Sequence, residues 1–118
     1  MEPFSVTEAM VQWLGALGYE ASSRVPSDMP DEFVTVERVG GADRDLVDHA
    51  LVAIQCWART DEAAEALACK ARLDLRHGSP PDGIHGVRTD TGPYPFFDPN
   101  TRRPRYQLVL DVSCRVLK

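Results

Sequence analysis

Phe33-Val-Thr-Val-Glu-Arg-Val-Gly-Gly-Ala-Asp-Arg-Asp45 begins as a strand and ends in a glycine pair among charges. Phe33, Val34, Val36 and Val39 are β-formers, and Glu37 and Arg38 stand near the exit. The fold turns on whether Gly40-Gly41 is a phosphate cradle or a turn. A phosphate loop needs a longer spaced glycine pattern, a Lys-Ser or Lys-Thr, and a helix opening directly behind it. Here Ala-Asp-Arg-Asp follows, and the carboxylates repel a phosphate. Gly40-Gly41 is therefore expected to turn the chain between two antiparallel strands, since glycine supplies positive φ without steric cost.

The next strand is Ala50-Leu-Val-Ala-Ile-Gln-Cys-Trp-Ala58, almost wholly apolar. It is expected to be buried on both faces, or covered by a helix on one and a neighbour on the other. Upstream, residues 5–17 read as an amphipathic helix. Val6, Ala9, Met10, Trp13, Leu14 and Leu17 recur at helical spacing, with Ser5 and Glu8 as a capping box, Phe4 as a staple and Gly18 as the terminator. Residues 19–32, with Ser22-Ser23, Pro26 and Pro30, form an extended connector.

A second helix opens behind Thr60, with Asp61, Glu62 and Glu65 early and Lys70, Arg72, Arg76 and His77 late, which complements its dipole. Its inner stripe is small: Ala64, Leu67, Ala68, Ala71 and Leu75; Gly78, Ser79, Pro80, Pro81 and Asp82 close it. Residues 84–89 make a weak strand. The prolines of Gly92-Pro-Tyr-Pro-Phe-Phe97 bar that segment from the middle of a sheet. In the last strand Tyr106, Leu108, Leu110, Val112, Cys114 and Val116 share one face. The expected fold is α+β, a single domain over residues 1–118: an antiparallel or mixed four-stranded sheet with two helices packed on it, in the order α-β-β-α-β-β.

With 13 basic and 18 acidic residues the net charge is −5, which opposes a general grip on nucleic acid. No signal-peptide pattern and no apolar run of membrane-spanning length is present, so folding in the cytoplasm and no membrane contact are expected. Cys56, Cys69 and Cys114 are widely spaced and read as free, buried thiols.

Little here looks like catalysis. His49, His77 and His85 match no compact ligand spacing, although Asp74, Asp82 and Asp90 stand near the last two. The cysteines lie in apolar or alanine-rich segments where a thiol is inert, and no serine occupies a nucleophile elbow. No enzyme activity, cofactor or metal is expected. Arg102-Arg103-Pro104-Arg105 is the one basic cluster. It fits either a phosphate contact or a hairpin tip that pairs with an acidic neighbouring subunit. A small cytoplasmic α+β binding module using Arg102, Arg103 and Arg105 is thus the alternative function.

One series of segments resembles a known family. It comprises Arg24-Val-Pro, Pro30-Asp-Glu-Phe-Val-Thr-Val-Glu-Arg-Val-Gly-Gly41, then Ala50-Leu-Val-Ala-Ile-Gln-Cys-Trp-Ala-Arg-Thr60 running into the alanine-rich helix. Residues 99–115, with Arg103-Pro-Arg-Tyr106 opening the last strand, complete it. In this order they resemble the small tail terminator proteins of long-tailed phages and prophages, also known as minor tail or head–tail joining proteins. The segment 91–97 is more aromatic than that family's pattern. The resemblance implies a homo-hexameric ring that caps the tail tube, ends its polymerisation and receives the head–tail connector. Its partners would be further copies, the major tail tube protein and the connector, and its place the virion tail, assembled in the host cytoplasm. DNA would pass through the lumen without specific binding, repelled by copies that each carry −5. Ring contacts are expected from Arg38, Asp43 and Arg44 on a possible arm, from Tyr94, Phe96 and Phe97 as anchors, and from Arg102, Arg103 and Arg105.

Overall fold

A computed structural model describes residues 1–118. The first helix, α1 (Val6–Ala16), starts where the Ser5 hydroxyl accepts from the Glu8 amide at 3.2 Å. It stops in a Schellman motif: Gly18, at φ +102, donates to Gly15, and Tyr19 donates to Leu14, each at 3.0 Å. Val6, Met10, Trp13 and Leu14 are its buried stripe. The second helix, α2 (Asp61–His77), is capped by the Thr60 hydroxyl, which accepts from the Ala63 amide at 3.1 Å. Its buried residues are Ala64, Ala68, Ala71 and Leu75, small enough for the helix to lie close on the sheet.

The chain is α+β, but its sheet has five strands rather than four: β1 (Ala21–Ser22), β2 (Phe33–Arg44), β3 (Val47–Trp57), β4 (Ile84–Pro95) and β5 (Arg105–Arg115). Their order is β1-β2-β3-β5-β4, and only the β1–β2 pair is parallel, so the sheet is mixed. The unexpected strand, β1, is two residues long, and no alternation of side chains can announce so short an element.

Gly40-Gly41 is not the turn. Both glycines lie inside β2, which runs on to Arg44, and β3 begins at Val47, before Ala50. The turn is Asp45-Leu46, with φ +52 and +65, the pattern of a type I′ hairpin. The register slips by one residue between Arg38 and Gly40, so Val39 is a bulge. β4 also runs further than expected, to Pro95, but as an edge strand, where Pro93 and Pro95 leave no ladder bond unmade.

Both helices cover one face of the sheet. α1 lies over β1 and β2, and α2 over β3, β4 and β5. Between them and the sheet sit Val34, Val36, Ala50, Val52, Ile54, Cys56, Leu108, Leu110, Val112 and Cys114, with Ile84 at the margin. The other face carries no helix.

Candidate functional site

On the helix-free face a row of polar side chains crosses four strands. The Trp57 indole donates to the Thr35 hydroxyl at 2.9 Å, and Thr35 donates to Gln55 Oε1 at 2.7 Å. Gln55 Nε2 donates to Gln107 Oε1 at 2.7 Å, and Gln107 Nε2 donates to the Tyr94 hydroxyl. Thr35, Gln55 and Gln107 are buried although this face has no helix over it. Residues 23–25, Phe96 and Arg105 stand round Thr35, Gln55 and Trp57, leaving a cavity of about 180 Å³. Sequence reasoning missed this row. Its signal was a glutamine inside the otherwise apolar 50–58 run and a second one opposite it in β5.

The arginines of the basic cluster diverge. The Arg105 guanidinium stacks 4.8 Å from the Trp57 ring centre and 4.4 Å from that of Phe96. It also donates to the carbonyls of Phe96 at 2.7 Å and Phe97 at 3.4 Å. Burial pulls its pKa down. Arg103 lies 5.7 Å from the Phe33 ring and donates to the carbonyls of Ala58, Pro30 and Asp31. Both therefore tie this end of the molecule together. Arg102, at φ +61, is exposed and forms none of the chain's ion pairs. Asp98, which precedes them, is buried and accepts from the Thr101 hydroxyl at 2.6 Å and from the amides of Thr101 and Asn100, which holds its carboxyl below the usual value. What this end exposes is apolar: Phe97 at 67% and Phe96 at 40%.

At the opposite end of the sheet the β2–β3 hairpin carries Arg38, Asp43 and Arg44. Arg38 grips Asp48 through two hydrogen bonds, at 2.6 and 2.8 Å, and its Nε donates to the Gly40 carbonyl at 3.0 Å. That bond holds the Asp48 carboxyl below its ordinary pKa against the opposing effect of burial. Asp43 lies directly across the ladder from Asp48, two like charges facing each other. Neither Asp43 nor Arg44 enters an ion pair. The turn exposes Leu46 at 82%.

The remaining titratable groups are dispersed. His49 lines an open groove of about 470 Å³ with Arg44, Arg88, Asp111 and Ser113, whereas His77 ends α2 and His85 lies exposed on β4. No group of three or more His, Cys, Asp or Glu side chains is placed to hold a metal ion. Cys56 and Cys114 are buried and Cys69 is partly so. Burial first, with Cys69 nearby, pushes the Cys56 thiol up to about 12, so it stays protonated and unreactive. Tyr19 donates to Asp74 at 2.6 Å and Lys70 to the same oxygen at 3.1 Å, a tie between the end of α1 and α2. No helix is long and apolar enough to cross a membrane. The chain matches no family model and no curated protein.

Proposed function

We propose that the chain is a structural virion protein that closes into a homo-hexameric ring at the end of a phage tail tube. The ring ends tube polymerisation and offers the head–tail connector its docking surface, while DNA passes through the lumen without specific binding. One observation carries the reading: two unlike apolar contacts, a single exposed leucine and an exposed phenylalanine pair, lie at opposite ends of one sheet. Leu46 projects from the hairpin turn beside Arg44 and Val47, and Phe96 and Phe97 follow β4 at the end where Phe33, Trp57 and Arg105 align. A head-to-tail contact needs two different patches on each copy, and repeated it closes a ring. The segment series from Arg24 to Arg115 that resembles tail terminators supports the same role. Arg38, Asp43 and Arg44 then flank the Leu46 contact, and Arg102 lies beside the aromatic one.

Electron microscopy of the purified protein with tail tubes tests this. Wild-type protein should cap tube ends as rings. Leu46→Asp and Phe97→Asp should each abolish rings without unfolding the chain. A mixture of the two variants retains one sound contact and should yield pairs that never close. Protein that stays monomeric beside tubes and leaves their ends bare would sink the proposal.

A further inference from the structure

The outer edge of β2 is bare. β1 pairs with β2 only at Val34 and Thr35, a parallel bridge that reaches no further than the Val36 amide, and no turn or loop backbone hydrogen bond reaches residues 37–44. Val34 donates outward to Glu20, so by strand alternation Val36 and Arg38 also present their amide and carbonyl groups outward. The bulge at Val39 shifts that phase, and beyond it Gly41 and Asp43 face out. The opposite edge of the sheet, β4, is blunted by Pro93, Pro95 and three register irregularities. β2 has no proline and a single irregularity. An unprotected edge of this kind is a template for another strand.

The residues on that edge identify the strand. Residues 37–44 read Glu-Arg-Val-Gly-Gly-Ala-Asp-Arg, a sequence complementary in charge to its own reverse. Laid antiparallel on a second copy about a dyad at Gly41, with Val39 bulged from each strand, it sets Glu37 opposite Arg44, Arg38 opposite Asp43, and Gly40 opposite Ala42. The bulge makes this register possible. Glu37 and Arg44 pair with Ala53 and Val47 and so share the helix-free face. Arg38 and Asp43 pair with Val52 and Asp48 and share the helical face. Opposed side chains thus fall on the same side of the joined sheet. Arg38 and Asp43 are also the residues with outward backbone groups, so each pair can exchange two hydrogen bonds. The dyad itself passes through glycines, which have no side chains to collide.

Within one chain the edge is electrostatically incomplete. Asp43 faces Asp48, whose cation, Arg38, is already engaged, and Glu37 and Arg44 have no ion-pair partners. A second copy brings the unpaired Arg44 to Glu37, and sets Arg38, already held by Asp48, beside Asp43 so that one guanidinium lies between two carboxylates. β1 ends opposite Thr35, two residues short of the paired stretch, and leaves the edge open.

We infer that the chain forms an isologous dimer with a second copy of itself through antiparallel pairing of two β2 edges, which joins the two five-stranded sheets into one. The inference does not rest on the tail reading, since a ring uses unlike patches and this contact uses like ones.

Sedimentation equilibrium of the full chain, with hydrogen exchange, tests it. Wild type should dimerise. Glu37→Arg alone, or Arg44→Glu alone, places like charges across the dyad twice and should weaken the dimer about tenfold or more. The double variant E37R/R44E restores both pairs and should recover wild-type affinity to within about threefold. Neither residue makes an ion pair inside the chain, so circular dichroism should be unchanged in all three. The Arg38 and Asp43 amides should exchange more slowly as concentration rises. A wild type that remains monomeric at about 100 µM, where a contact of about −5.5 kcal/mol would be half formed, overturns the proposal. So does a dimer indifferent to the single changes, a swap that fails to restore it, or a dimer whose Arg38 and Asp43 amides exchange freely.

Discussion

Gly41 holds φ +91, and a Cβ there would meet the His49 carbonyl oxygen at 2.0 Å and the Ala50 Cα at 2.9 Å. Both obstacles are backbone of the neighbouring strand and cannot swing aside. Gly41→Ala should therefore destabilise the chain by about 3 kcal/mol, a strained backbone plus a displaced strand. Gly86→Ala is the control: it lies in the same sheet, nothing stands within 4 Å of its Cβ, and stability should change by less than about 0.5 kcal/mol. Urea unfolding of the two variants decides the matter, and equal midpoints would show that the hairpin yields freely at Gly41. The glycine pair was thus conspicuous in the sequence for a reason other than the one its composition suggested. Its second member lets two strands approach past a bulge. The turn falls on Leu46, a residue with no turn signal at all, held at φ +65 by the flanking ladder.

Strands β2, β3, β5 and β4 are linked on the helix-free face by the Thr35–Gln55–Gln107–Tyr94 row. Gln55, like Gln107, accepts from one neighbouring strand and donates to another. Gln55→Leu keeps the bulk but strands the buried Thr35 hydroxyl and the Gln107 carbonyl oxygen, so it should cost about 1–3 kcal/mol by denaturant unfolding. A loss below about 0.5 kcal/mol would mean that water takes over both partners. Elements of this length were mostly legible. α1 and α2 carried caps and stripes that the fold uses, and β5 alternates as its sequence does. What escaped was set by pairing rather than by local pattern. β1 exists because Ala21 and Ser22 meet Val34 and Thr35, and β4 reaches Pro95 because β5 runs alongside it. The basic cluster misled for the same reason: nothing in Arg102-Arg103-Pro104-Arg105 reveals that the Arg103 guanidinium is fastened to the carbonyls of Ala58, Pro30 and Asp31, or that the Arg105 guanidinium lies against Trp57 and Phe96.

At the scale of the whole molecule the chain is elongated, 42 Å along its longest axis against 26 and 24 Å across. Its candidate contacts share Arg38, Asp43 and Arg44, but Glu37 belongs to the strand edge alone and Phe97 to the aromatic corner alone. The β2 edge is self-complementary and forms pairs about a dyad, whereas Leu46 and the Phe96–Phe97 corner are unlike patches at opposite ends of the sheet and form head-to-tail arrays. Because the contacts have different symmetry, they should fail independently. Glu37→Arg reverses a charge on the strand edge and leaves both apolar patches untouched, so it should lose the dimer and still cap tail tubes. Phe97→Asp disrupts the aromatic corner and leaves residues 37–44 unchanged, so it should keep the dimer and lose capping. Sedimentation and electron microscopy on the same two preparations read both properties. If either variant lost both, one surface would be serving both assemblies, and the assignment of edge to dimer and poles to ring would have to be abandoned.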